Sequence, residues 1–253
     1  MKNISNNFFT CLGWLILAIL YSLLAFKTDN PLLLPTLCSI GKNIFITIFS
    51  LEGFIIICNT LKTLFFSTIS SIGIAIFFAI ITKIIPMLSF LIQPIFSLLK
   101  SIPTIGLILI ALIYLKLDLA PLFIGIVISV GIFYDLILSG INSVDSSLLE
   151  MAKLYKVKKI YIIKEIYIPS IFWKLNTSLH SILSLILKVI IAGEVLANVN
   201  KTIGGELIIQ KNYFNTDIFF SWLLIVAILS IIFETLIKYF SSKYRRWDKN
   251  ASN

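Results

Sequence analysis

Charge is scarce in this chain. Only 13% of its 253 residues are Asp, Glu, Lys or Arg, about half of the roughly 25% usual in a soluble domain, while 58% are hydrophobic and the mean hydropathy is +1.01. An ordinary soluble globular protein is excluded. A single histidine, His180, and three cysteines, Cys11, Cys38 and Cys58, none in a C-x-x-C spacing, leave no metal site to build and no redox pair. No G-x-x-x-x-G-K-[ST] phosphate loop occurs, so the chain has no ATPase motif of its own. The net charge of +9 is spread over short loops between apolar runs rather than along one basic face, which argues against nucleic-acid binding.

What is present is a series of apolar runs long enough to cross about 30 Å of hydrocarbon at 1.5 Å per helical residue. They predict an all-α, polytopic transmembrane bundle of about six spans, near residues 11–26, 64–85, 87–115, 119–141, 177–199 and 218–239. The stretch from Pro31 to Lys62 is mixed and reads as an outer loop with an amphipathic helix. The third span carries Pro94, Lys100 and Pro103, which fits a broken helix lining a cavity better than one facing lipid. Trp14, Trp173, Trp222 and Trp247 read as interface anchors. Twelve Lys and Arg residues fall on one side of this arrangement and six on the other. The positive-inside rule then puts both termini, the 142–174 loop and the 241–253 tail in the cytoplasm.

That loop is the informative segment. Leu148, Met151, Ala152 and Tyr155 repeat at helical spacing and give one apolar stripe, with Asp145 or Ser147 able to cap its start. Ile160, Ile163 and Tyr167 form a shorter stripe that Pro169 stops, and the same proline can open the helix that continues into span five. By itself such a helix pair can simply lie on an anionic membrane surface.

The spacing adds more. Glu150-Met151-Ala152, three residues, Lys156, nine residues, then Ile166-Tyr167-Ile168-Pro169 resembles the E-A-A, three, G, nine, I-x-L-P signature of the inner-membrane permease subunits of bacterial ABC importers. Met151 replaces an alanine, Ile168 a leucine and Lys156 the glycine. A glycine between two helices suggests a positive φ, which costs a lysine about 1 kcal/mol. Asn59-Thr60-Leu61, Lys100-Ser101-Ile102-Pro103-Thr104, Gly193-Glu194-Val195 and Ile203-Gly204-Gly205 look like further landmarks of the nitrate, sulfonate, taurine and thiamine-precursor type of permease.

The resemblance implies a type I importer permease: a homodimer in the bacterial inner membrane that binds no cofactor, pairs with a separate ABC ATPase that hydrolyses the ATP, and receives solute from an extracytoplasmic binding protein. It implies that Leu148, Glu150, Met151, Ala152, Tyr155, Lys156 and Pro169 belong to the ATPase-coupling segment. Glu150 has two readings, a contact with a basic residue of the ATPase or the second half of a Ser147-x-x-Glu150 capping box. Lys188, near the middle of span five, is the most unusual residue of the membrane region. Asp135, Glu194 or an anionic solute are its candidate partners, and a structural ion pair or a snorkelling side chain are the bland readings. With Pro103 these residues make up the candidate translocation pathway. The competing reading is a stand-alone secondary transporter or channel, which would need no such loop.

Overall fold

The computed structural model describes the backbone of residues 2–28, 30 and 32–251, and within these the side chains of 12, 13, 15, 16, 19–28, 30 and 32–239. Every regular element among them is helical: α1 (Lys2–Thr28), α2 (Leu37–Phe49), α3 (Leu51–Ile84), a 3-10 turn at Pro86–Leu88, α4 (Ser89–Ser101), α5 (Thr104–Tyr114), α6 (Ala120–Asn142), α7 (Ser146–Leu154), α8 (Lys159–Ile162), a π-turn at Ile163–Tyr167, α9 (Ile168–Ala197), α10 (Ile203–Asn212) and α11 (Thr216–Ala251).

Among the described residues, four stretches are long and apolar enough to cross a membrane: Leu51–Ile84, Ala120–Asn142, Lys159–Ala197 and Thr216–Tyr239. A fifth is the pair Pro86–Ser101 and Thr104–Tyr114, bent by 98° where Ile102 and Pro103 interrupt the helix. The direction of the chain explains why this pair amounts to a full crossing. Ser67 donates to the Leu122 carbonyl at 3.1 Å, Ser71 shares a hydrogen bond with Ser129 at 2.6 Å, and Thr82 shares one with Tyr134 at 3.0 Å. Partner numbers rise together, so α3 and α6 run parallel, and the residues between them must return the chain across the bundle. Small side chains at Ser67, Ser71, Ala75, Ala79 and Thr82 form the buried face of α3 that lets the two helices approach.

Span positions differ from the sequence expectation in instructive ways. The 64–85 run is the second part of a 34-residue helix that begins at Leu51, where Ser50 caps it by accepting from the Gly53 N–H. Glu52 and Asn59, which made this stretch look like a loop, belong to the helix. The expected first span, 11–26, falls in α1, where the side chains of residues 11, 14, 17 and 18 lie outside the described set; the described part, Ile19–Thr28, is a short apolar helix. Pro169 does not stop the preceding helix. The π-turn at Ile163–Tyr167 lets the Ile168 N–H reach back to the Ile163 carbonyl, which makes room for the proline ring, so helix runs from Lys159 to Ala197.

The core lies where α3, α6, α9 and α11 meet, around Phe133, Tyr134, Ile137, Ile186, Leu187 and Ile190. Trp222, expected at the interface, is buried there instead at 2% exposure, because it sits on the inward face of α11 beside Ile225. Trp14 and Trp247 lie outside the described side chains. Outward faces carry long runs of exposed Leu, Ile and Phe, as lipid-facing helices do.

Candidate functional site

One end of the bundle is built around α7. Asp145 caps it, accepting from the Ser147 N–H at 2.9 Å, and that hydrogen bond holds the Asp145 carboxyl below the usual aspartate range. Because the helix begins at Ser146, Ser147 is inside it rather than at its cap, so the Ser147-x-x-Glu150 capping box does not form. Glu150 is exposed and engaged by none of the described residues.

The helix ends in a left-handed turn. Lys156 has φ +53°, its N–H donates to the Lys153 carbonyl at 3.0 Å, and the Val157 N–H donates to the Ala152 carbonyl at 2.9 Å. This pair of bonds is the Schellman arrangement that glycine usually serves, here completed by a lysine. The turn folds the next segment back beside α7 and opens a groove of about 380 Å³. Leu148, Met151 and Tyr155 line it from one side and Tyr161, Ile162 and Ile166 from the other, with Glu165 as its charged member. Leu148, Met151 and Tyr155 are 44, 49 and 79% exposed, whereas Ala152 is buried as the floor.

This end is tied firmly to the spans. Ser170 and Ser143 both donate to the Gly140 carbonyl, at 2.7 and 2.9 Å. A Cβ on Gly140 would stand 2.8 Å from the Ile171 Cα, so only glycine permits this approach of α6 to α9. Lys83, at the end of α3, lies 5.9 Å from the centre of the Tyr167 ring. Three spans therefore converge on the segment that carries α7.

At the opposite end stands a polar cluster. Asn198 and Lys201 adopt left-handed conformations, φ +50° and +54°, and turn the chain from α9 back into α10. Thr202 caps α10 by accepting from the Gly205 N–H at 3.1 Å. Glu194, 1% exposed, takes the Thr60 hydroxyl and the Gly204 N–H on its Oε2, each at 3.0 Å, and Thr60 Oγ1 in turn accepts the Ile203 N–H at 3.0 Å. The carboxylate thus occupies the positive end of α10. Its Oε1 has no partner among the described residues. Gly204 is again a matter of space, since a Cβ there would lie 2.4 Å from that of Glu194. Asn59 adds a bond to the Lys201 carbonyl at 2.9 Å.

Between the two ends, Lys100 in the last turn of α4 forms an ion pair with Asp135 of α6 and holds the bent α4–α5 pair against that helix. Pro103 is exposed at the bend. Lys188 stands on an exposed face of α9 and meets neither Asp135 nor Glu194. The helix register gives the reason. Gly193 backs onto Pro121 and Gly140 onto Ile171, so α6 and α9 are antiparallel and Asp135 lies opposite a point about ten residues, roughly 15 Å, from Lys188.

The sequence model of the family described as the binding-protein-dependent transport system inner membrane component matches residues 71–246, well over half of the chain. The chain belongs to this family. No curated protein matches it. Among solved structures, an amino acid ABC transporter crystallised with histidines is similar at a TM-score of 0.64 and 17% identity, covering 74% of this chain and 92% of that one. A bacterial ABC transporter involved in the import of the acidic polysaccharide alginate is similar at 0.67 and 17%, covering 96% and 98%. At that identity the likeness is one of fold: the protein is an ABC importer permease, a multi-pass, all-α subunit of the bacterial inner membrane. The family works with an ATPase subunit and a substrate-binding protein, and ATP is used by the partner.

Within the permease, landmarks that are far apart in the chain come together. Thr60, Glu194, Ile203 and Gly204, drawn from three separate motif segments, make one hydrogen-bonded cluster, and Lys100 of a fourth finds Asp135. Neither Thr60 nor Lys100 stood out as a site residue in the sequence. Their motif positions were the available signal; their partners were not.

Proposed function

We propose that this permease docks α7 onto a separate ABC ATPase at the cytoplasmic face and forms the passage for a solute delivered by an extracytoplasmic binding protein. The observation that carries the reading is the open apolar groove between α7 and the segment after it, bound at its base to α3, α6 and α9. Leu148, Met151 and Tyr155 supply surface to bury against the ATPase over the Ala152 floor, and the unengaged Glu150 supplies a charge for one of its basic side chains. Lys156 sets the turn between the two walls, and Pro169 marks where the docking segment passes into α9.

In this reading ATP-driven closure of the ATPase moves α7, and the Gly140–Ile171 contact passes the movement into α6 and α9 as one unit. The Lys100–Asp135 pair carries the bent α4–α5 elbow along with α6, swinging Pro103 and the exposed face holding Lys188 between inward and outward access. Glu194 acts from behind, as a positioning residue for α10. Both termini are cytoplasmic, the working unit is a homodimer, and the solute is small and polar: a sulfonate, nitrate or a thiamine or pyrimidine precursor.

Purification of the tagged permease from its native cells in mild detergent tests this. An ATPase subunit is expected with the wild type and is expected to be lost with Glu150→Arg. If the wild type brings no ATPase under conditions that preserve other membrane complexes, a stand-alone transporter becomes the better reading.

A further inference from the structure

Ionisable groups inside a membrane protein find partners, because hydrocarbon leaves them no water. In this permease Lys100 pairs with Asp135, Lys238 pairs with Glu234, Lys83 lies over Tyr167, and Glu194 is held by Thr60 and Gly204. Lys188 has none of these: no ion pair, hydrogen bond or ring contact joins it to the described residues. It stands about nine residues, roughly 14 Å, from the end of α9, on an exposed stripe with Ser181, Leu185, Ala192 and Leu196. Side chains of a helix lean toward its N-terminus, which for α9 is the α7 end. Lys188 therefore leans away from the nearer membrane surface and into the bilayer, which opposes the snorkelling exit.

We infer that Lys188 is an anion-binding residue of the translocation passage, and that the solute carries a sulfonate, carboxylate or comparable oxyanion group. This rests on the importer reading above. Among the described residues the acids of the spans are held elsewhere: Asp135 by Lys100, Glu234 by Lys238, and the buried Glu194 through its Oε2 by Thr60 and Gly204. A cation facing the passage, flanked by apolar and small side chains, is complementary to an anion and repels a cationic solute. Among the solute types named above, the inference selects the anions over the pyrimidine precursors.

The test needs no knowledge of the natural solute. Cys11, Cys38 and Cys58 are replaced by serine, Ala192→Cys is introduced one helical turn from Lys188, and the full chain is kept in its native membrane. Reaction rates are then compared for anionic sulfonatoethyl methanethiosulfonate and cationic trimethylammonioethyl methanethiosulfonate. At the roughly 6 Å that separates side chains four apart, one positive charge in a wet passage should favour the anionic reagent by about tenfold relative to the same ratio in Lys188→Met. Lys188→Arg should restore the preference. An unchanged ratio would mean that a phospholipid headgroup or a carboxylate of another subunit already neutralises the charge, and no reaction with either reagent would mean that the face is sealed; each overturns the inference. Co-recovery of the ATPase from the same membranes reports separately on the importer reading, so the two can fail independently.

Discussion

Thr60 of α3 and Glu194 of α9 are 134 positions apart in sequence, yet the threonine hydroxyl donates to the glutamate Oε2 at 3.0 Å while its own oxygen receives the Ile203 N–H at 3.0 Å. One hydroxyl thus joins two spans to the start of α10. Truncating either partner leaves buried polar groups unpaired. Glu194→Ala strands the Gly204 N–H and the Thr60 hydroxyl, and is expected to cost about 2–4 kcal/mol; Thr60→Val is expected to cost about 1–3 kcal/mol. Because the two share a bond, the double variant should cost less than the sum. Thermal unfolding of the detergent-solubilised permease measures all three, and strict additivity would show that the pair does not act as a unit.

Lys156 sits where left-handed backbone favours glycine. Lys156→Gly should stabilise the turn after α7 by about 1 kcal/mol, and Lys156→Val, branched at Cβ, should destabilise it. Hydrogen exchange of the Ala152 to Tyr161 amides reports on that turn directly: slower exchange in the glycine variant is expected, faster in the valine variant.

The Asp145 cap should make α7 sensitive to acid. Its carboxyl is held below the usual range by the Ser147 N–H, so it titrates lower in the folded helix than in the unfolded chain. A group depressed in this way contributes stability above its unfolded value and loses it as pH falls through the folded one. Amides of the first turn of α7 are therefore expected to lose protection as pH drops below the aspartate range. Asp145→Asn, which can still accept from Ser147, should remove the pH dependence while keeping the helix.

Much of this was legible in the chain. Long apolar runs with few charges specify an all-α membrane bundle, and proline after Ile102 specifies a break because the ring cannot follow helical geometry with the residue before it. The motif spacing points to a turn of positive φ at Lys156, and the backbone there has φ +53°. Other features were hidden for physical reasons. Glu52 and Asn59 look like loop residues because polarity is visible in sequence while its satisfaction is not; Asn59 reaches the Lys201 carbonyl, a partner 142 positions away. Pro169 looks like a stop because a π-turn leaves no signature in composition. Periodicity shows which face Asp135 and Lys188 occupy, but their separation depends on the register between two helices, set by the close contacts at Gly140 and Gly193. Trp222 reads the same in sequence whether it anchors an interface or fills a core.

In the proposed function the groove beside α7 receives an ATPase. The most direct measurement is site-directed cross-linking in native membranes from Met151→Cys on the groove wall, with Tyr213→Cys as the control, exposed at the turn between α10 and α11 at the opposite end of the bundle. An adduct with an ATPase subunit is expected from position 151 and none from position 213. Absence of an ATPase adduct at 151, or equal adducts at both positions, would contradict it.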